Sequence, residues 1–349
     1  MSLASALRTH DAAELPSRRD EDWRWTDLRG LLRAIPPASP PGDAARVGPG
    51  PFAGVTSDEV LVLNGRLAAG GEALTVAAGA RRVLTLRIVS QAVGTAHHAA
   101  LSIVLEAGAT LILLENYEGA GQGYVADVAL DITLGEGARL ERIVLIDEAA
   151  DAIAVATSAV ALGRHASFAQ TTLTAGAKRQ RFETRVRHPG GGGLARLDGV
   201  YLVDGPRHAD LTSVVTHEGA GGSTLQLTKG AVRDQARAVF QGRIVVAKGA
   251  DQTDARMGHH ALILSERAEV DAKPELEIYA DDVACAHGNT VGALDEEALF
   301  YARQRGLPEA EARALLTEAF VGEVIDRIEH EGARDVARAW AAARLRRAG

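Results

Sequence analysis

The sequence predicts a mainly β protein: a parallel β-helix of stacked coils, preceded by a helical N-terminal cap and followed by a C-terminal helical domain. Three observations carry that expectation. A small residue, one intervening residue and a large apolar residue recur at Ala109-Thr110-Leu111, Ala138-Arg139-Leu140, Ala166-Ser167-Phe168, Ala195-Arg196-Leu197 and Ser223-Thr224-Leu225, spaced 29, 28, 29 and 28 residues apart. Each unit holds two strand-like runs with no helical segment between them, as in LERIVLIDEA followed by IAVATSAVALG. Strand pairs that return in phase at such a period are the mark of a solenoid, whereas the turns of a β-sandwich, the competing architecture, have no reason to keep phase. Glycine is abundant at 37 of 349 residues while Phe, Trp and Tyr reach only 4%, which suits a turn-rich stack of aliphatic ladders.

Residues 1–58 read as the cap, with helical patterning around Ala4 to Leu7 and from Trp23 to Ile35. The linker PPASPPGDAARVGPGP follows, where four prolines in six residues exclude a helix. Residues 59–283 read as the β-helix core, with runs such as VLVLNG, TLILLENYEG and VALDITLGEG punctuated by glycine. Extending the repeat backward from Leu111 reaches Val83, so Val83, Leu111, Leu140, Phe168, Leu197 and Leu225 are expected on one interior ladder. Residues 284–349 read as helices: Asp295 caps EEALFYARQR, Gly306 stops it and Pro308 opens the next. In that second helix Ala312, Leu315, Leu316, Ala319, Phe320, Val324, Ile325 and Ile328 share one apolar face, and a third runs from Ala333 to Arg347. Such helices are expected to cover the last coil, or to offer an apolar face to a partner.

Composition removes several function classes. The formal net charge of −8 opposes nonspecific binding to nucleic acid or anionic membrane, and the one tight basic cluster, Arg344, Arg346 and Arg347, reads as a solvated helix end. The single cysteine, Cys285, and an opening stretch without an apolar signal core point to the cytoplasm, and no apolar run reaches the length of a membrane span. There is no GxSxG elbow, no GxxxxGK[ST] phosphate loop and no HExxH zinc helix. His188-Pro189 and the four glycines after it read as a solenoid turn. The adjacent pairs His97-His98 and His259-His260 would point to opposite faces of a strand, so neither pair chelates. Asp198, Asp204 and Asp210 could form the acidic ladder of a carbohydrate-active solenoid enzyme, but read more simply as surface aspartates.

The informative stretch is KPELEIYADDVACAHGNTVG, residues 273 to 292. Leu276, Ile278 and Ala280 alternate with polar neighbours as in a half-buried strand, and continued extension puts Cys285 and His287 on one face about 6.6 Å apart. Thiolate and imidazole suit iron, zinc or an iron-sulfur cluster, yet two donors leave a four-ligand site incomplete. The pair is therefore either core cysteine and hydrogen-bonded histidine, or a half-site completed by another chain.

The stretch from Val239 to Gly306 resembles the SufB/SufD scaffold proteins of the SUF iron-sulfur cluster assembly system. The shared residues are Phe240 and Gly242, Thr253-Asp254-Ala255, Lys273-Pro274, Leu276-Glu277-Ile278, Asp281-Asp282-Val283, Cys285, His287-Gly288, Thr290, Gly292, Leu299-Phe300-Tyr301 and Arg305-Gly306. Glu21-Asp22-Trp23-Arg24-Trp25-Thr26 is similar to the family's N-terminal tryptophan motif. Ala286 and Asn289 depart from the common Ser and Ala, while Gly288 stands where SufB carries an acidic residue and so favours the SufD branch. The resemblance implies a right-handed parallel β-helix and a noncatalytic scaffold that pairs edge to edge with SufB. It also implies that the C-terminal helices receive the ATPase SufC; a homodimer of the isolated chain is left open by the sequence. A transient cluster or iron would be shared with SufB, with His287 as the ligand and Cys285 beside it. A carbohydrate-active solenoid enzyme and a purely structural homo-oligomer are the alternatives.

Overall fold

A computed structural model describes residues 2–68 and 73–346. The strands form two parallel sheets, one of ten strands and one of eight, and strands consecutive in sequence alternate between the sheets. Each circuit thus lays one strand on each wall, which is the β-helix that the repeat predicts. One face of every strand turns inward, and Leu84, Leu111, Leu113, Leu140, Val144, Phe168 and Phe182 fill the interior. The few aromatic residues are fitted individually. Tyr201 stands beside Gly230 on the neighbouring strand, where a Cβ would come within 2.0 Å of the Tyr201 ring, so only glycine fits.

The ladder differs from the expectation at three of its six positions. Leu111, Leu140 and Phe168 are aligned on adjacent strands, but the next rungs are Ala195 and Thr224. Leu197 is aligned with Gln170 and Gln226, one inward position further along. Val83 is aligned with Ile112 on the outer face, and Leu225, 38% exposed, with Arg196. Register follows inside–outside alternation and the ladder bonds, and turns of unequal length absorb a residue or two, so a constant count does not preserve facing.

Charged groups also enter the interior. Arg142 is fully buried, with Nε 2.8 Å from Glu115 and Nη1 2.9 Å from Gln170, while the Tyr117 hydroxyl donates to Glu115 at 2.6 Å. Every member is paired, as a buried charge requires.

The N-terminal region is less helical than its pattern suggests. Helix α1 spans Leu3–Thr9, but Trp23 to Ile35 forms turns after a short 3-10 turn at Glu21–Trp23. The Leu28 and Arg29 amides both donate to the Pro16 carbonyl, and the Asp27 carboxylate accepts from the Gly30 amide, so the backbone finds partners outside a helical ladder. The segment lies instead on the outer face of the eight-stranded sheet.

The C-terminal helices are α2, Glu296–Gln304, α3, Glu309–Ile325, and α4, Glu331–Arg346; Arg347 lies outside the described residues. The Asp295 carboxylate accepts from the Glu297 and Ala298 amides, and Gly306 takes a φ of +90°. These helices do not cover the last coil. They pack across the outer face of the ten-stranded sheet, where Val321, Val324, Ile325, Trp340 and Leu345 meet Ile143, Leu145, Val200 and Leu202. That outer face is apolar and demands a cover. Arg344 pairs with Asp147 and Lys229 with Glu323, while Glu141 accepts from the Glu329 and His330 amides. Leu315 stays exposed, as do Phe300 and Tyr301 on α2.

Candidate functional site at the open end of the solenoid

With the helices on its side, the solenoid ends bare. The last strand of each sheet, Glu269–Ile278 and Val283–Gly292, has a neighbour on one edge only. The expected division at residue 283 falls at the first residue of this final strand, which continues to Gly292 and carries both candidate donors. Ile278, Tyr279 and Val291 are exposed at this end. An unpaired edge with apolar side chains is a surface that proteins normally cover.

Cys285 is aligned with Ala255, and His287 with Met257. Both side chains therefore face inward along one strand. Cys285 is half-buried against the last apolar layer, which contains Phe240, Ile244 and Met257, and burial raises its thiol pKa above the usual value. The Ala255 amide partly opposes that rise, so the thiol is protonated at neutral pH and a metal must displace the proton. His287 lies beyond that layer and is exposed. The two donors are thus brought to one face of the open end. Among the described residues no three His, Cys, Asp or Glu side chains gather where they could hold a metal ion.

Two features of this end were not apparent from the sequence. His259 is completely buried behind the final strand, with Nδ1 donating to Asn289 Oδ1 at 2.6 Å and Nε2 accepting from the Tyr201 hydroxyl at 2.9 Å. Its ring stacks on Phe240 at 4.5 Å, and through its Oδ1 Asn289 ties the last strand to the core. The other is the N-terminal tryptophan motif, which crosses four neighbouring strands of the eight-stranded sheet. Glu21 pairs with Lys273 at 2.7 Å and Asp22 with Arg243 at 3.2 Å. Trp23 stacks under the Arg181 guanidinium at 4.5 Å, the Trp25 carbonyl accepts from His208 at 3.1 Å, and Thr26 donates to Asp210. The motif thereby braces Glu269–Ile278, a strand of the open coil. The resemblance alone singled this motif out, and only the structure reveals its partners.

The remaining motifs resolve structurally. His97 is buried between the Ser39 and Ser90 hydroxyls, whereas His98 bonds Asp127; His260 likewise turns away from His259 to Thr290. Gly190, Gly191 and Gly192 all take positive φ in the expected turn, and His188 stacks on His217 at 4.6 Å. The three aspartates do not converge. Asp204 lies in a turn between Arg207 and Arg233, but Asp198 and Asp210 are buried, contrary to the surface reading, because Arg327 and Arg181 respectively pair with them.

Buried histidines give the chain a defined acid sensitivity. Burial lowers the pKa of His97, His208, His217 and His259 to about 4, from 6.5. The unfolded chain binds these protons more readily, so their contribution to stability is full above pH 6.5 and is lost as the pH falls towards 4. Glu148 and Asp198, raised by burial to about 7 and about 6, act oppositely and favour the folded state as the pH falls. Four groups outweigh two. The urea midpoint is expected to drop between pH 7 and pH 5, and an unchanged midpoint would contradict the neutral assignment of the imidazoles.

The profile described as "SUF system FeS cluster assembly, SufBD core domain" matches residues 87–320. The chain belongs to the SufBD family. An iron-sulfur cluster assembly SufBD family protein of Synechocystis is 32% identical over 237 residues, covering 65% of this chain and 52% of that protein. The Escherichia coli iron-sulfur cluster assembly protein SufD is 30% identical over 250 residues, covering 71% of this chain and 59% of that protein. A SufBD family protein of Mycobacterium leprae is 29% identical over 346 residues, covering 91% and 87%. The aligned regions thus span just over half of the first two relatives. SufBD proteins are components of cluster assembly, and this chain is SufD-like. Among the described residues no helix is long and apolar enough to cross a membrane.

Proposed function

We propose that this chain is a noncatalytic scaffold subunit of a SufBCD complex in the cytoplasm. It pairs with SufB through the open end of its β-helix and receives SufC on its C-terminal helices. His287, with Cys285 beside it, supplies this chain's donors to a nascent iron-sulfur cluster, which is cargo shared between the subunits. The observation that carries the reading is the bare end of the solenoid, which combines two unpaired strand edges, exposed apolar side chains and a thiol–imidazole pair too small to complete a site alone. In the absence of SufB the same end provides the surface for a homodimer.

The helical face supports the SufC assignment. Phe300, Tyr301 and Leu315 are 64%, 61% and 53% exposed on α2 and α3, while the other side of α3 packs on the sheet. Large aromatic and aliphatic side chains held in water on a packed helix pair are suited to anchoring a partner. Phe300→Asp combined with Leu315→Asp is expected to abolish co-purification of SufC while leaving the circular dichroism spectrum and SufB binding unchanged. Undiminished SufC recovery would place that interface elsewhere.

A further inference from the structure

A second concave site lies at the opposite end of the chain's path, where α1, the segment from Ile35 to Ser39, the Asn64-Gly65 turn and the start of the strand Ala96–Leu105 border an open cleft of about 210 Å³. Its polar lining is one-sided. Arg8, His10, Arg66, His97 and His98 contribute to the wall, and among the described residues no aspartate or glutamate does, in a protein whose net charge is −8. Asp127 stands behind His98, 2.7 Å from Nδ1, and orients that ring. Neither Arg8 nor Arg66 makes an ion pair among the described residues; Arg66 donates to the Ser39 carbonyl at 3.0 Å, a neutral partner that leaves its charge in place.

The walls are preformed. The Ser39 amide donates to the Ala96 carbonyl at 2.7 Å, and the Ala96 amide to the Pro37 carbonyl at 2.8 Å. Asn64 and Gly65 both take positive φ, and a Cβ on Gly65 would lie 2.5 Å from the His98 carbonyl oxygen, so the turn is pressed against the strand. A site already held in shape loses little ordering entropy on binding. Leu7, Ile35 and Ala96 provide an apolar side.

We propose that this cavity binds a small phosphate monoester, with its phosphate held by Arg8 and Arg66 and its carbon skeleton lying against Leu7, Ile35 and Ala96. Two guanidinium charges without carboxylate partners among the described residues match a dianion, and the planar donor fork fits phosphate oxygens. The cleft is smaller than the sites of drug-sized ligands, which begin at about 300 Å³, so it suits a short carbon skeleton.

The test is thermal unfolding of the full chain with glycerol 3-phosphate as probe, against sodium chloride and glycerol at matched ionic strength. The proposal expects a rise in Tm with the ester, a smaller rise with inorganic phosphate, and loss of the ester's effect in Arg8→Ser/Arg66→Ser. Because Arg66 also holds the Ser39 carbonyl, Arg8→Ser alone provides a second reading: Arg8 is exposed and its loss leaves the fold intact, so the shift should at least halve. No shift in the wild-type chain, or an equal shift in the variants, would overturn the site. An equal effect of inorganic phosphate would overturn the ester.

Discussion

Arg181→Ala is expected to destabilise the chain by about 3–5 kcal/mol, the cost of stranding charge in a protein interior. The guanidinium is fully buried, with Nη1 2.7 Å from Asp210 and Nη2 2.8 Å from Glu183, and Nη1 also donates to the Asp22 carbonyl at 2.8 Å. Truncation leaves the Asp210 carboxylate without its cation beneath the N-terminal segment, leaves Glu183 with only the half-exposed Arg185, and removes the surface on which Trp23 stacks. The effect should therefore exceed that of an ordinary lost contact and should loosen the tryptophan motif, visible as a change in Trp23 fluorescence before global unfolding. Arg187→Ala is the control, since its pair with Glu218 is exposed, and it should leave the urea midpoint unchanged. A midpoint for Arg181→Ala equal to that of the control would show that the motif is not anchored by this network.

His287→Ala is expected to lower the iron and sulfide content of the anaerobically purified complex severalfold while the complex still assembles. The side chain is exposed beyond the last apolar layer, so its removal opens no cavity in the core and leaves the ladder with Thr253–Ile263 intact. Cys285→Ser should have a smaller effect on cluster content, because the half-buried thiol is held protonated and packs against Phe240 and Met257. Its cost should appear instead as a modest loss of thermal stability, from placing a hydroxyl in that layer. Normal cluster content in His287→Ala would reject the half-site and return Cys285 and His287 to purely structural roles.

The architecture was legible in the sequence because a β-helix repeats its own environment. Each coil needs a small residue at the turn and a large one inside, so Leu111, Leu140 and Phe168 announce the stack. Facing was less legible. Val83 and Leu225 satisfy the count yet turn outward, since the count includes turns whose lengths vary. The alternation of Leu276 and Ile278 belongs to Glu269–Ile278, and the chain turns before Val283, so the extension expected to continue to Cys285 and His287 is interrupted; the two donors share a face on the next strand, in the other sheet. The incompleteness of the pair was readable from ligand number alone. Where the helices dock was not readable, because the apolar stripe of α3 has the same pattern whether it covers the end of a coil or its side. The partners of Arg181 and His259 were hidden for a different reason: buried polar networks join residues far apart in sequence, such as Thr26 with Asp210 and Tyr201 with His259, and neither periodicity nor local propensity encodes them.

Co-expression of the tagged chain with untagged SufB and SufC tests the scaffold assignment most directly. Anaerobic affinity purification is expected to recover all three proteins together, with iron and sulfide in the complex and little of either on the chain purified by itself. Recovery of the chain alone, with SufB and SufC left in the flow-through, would contradict it, as would a full complement of iron and sulfide on the isolated subunit.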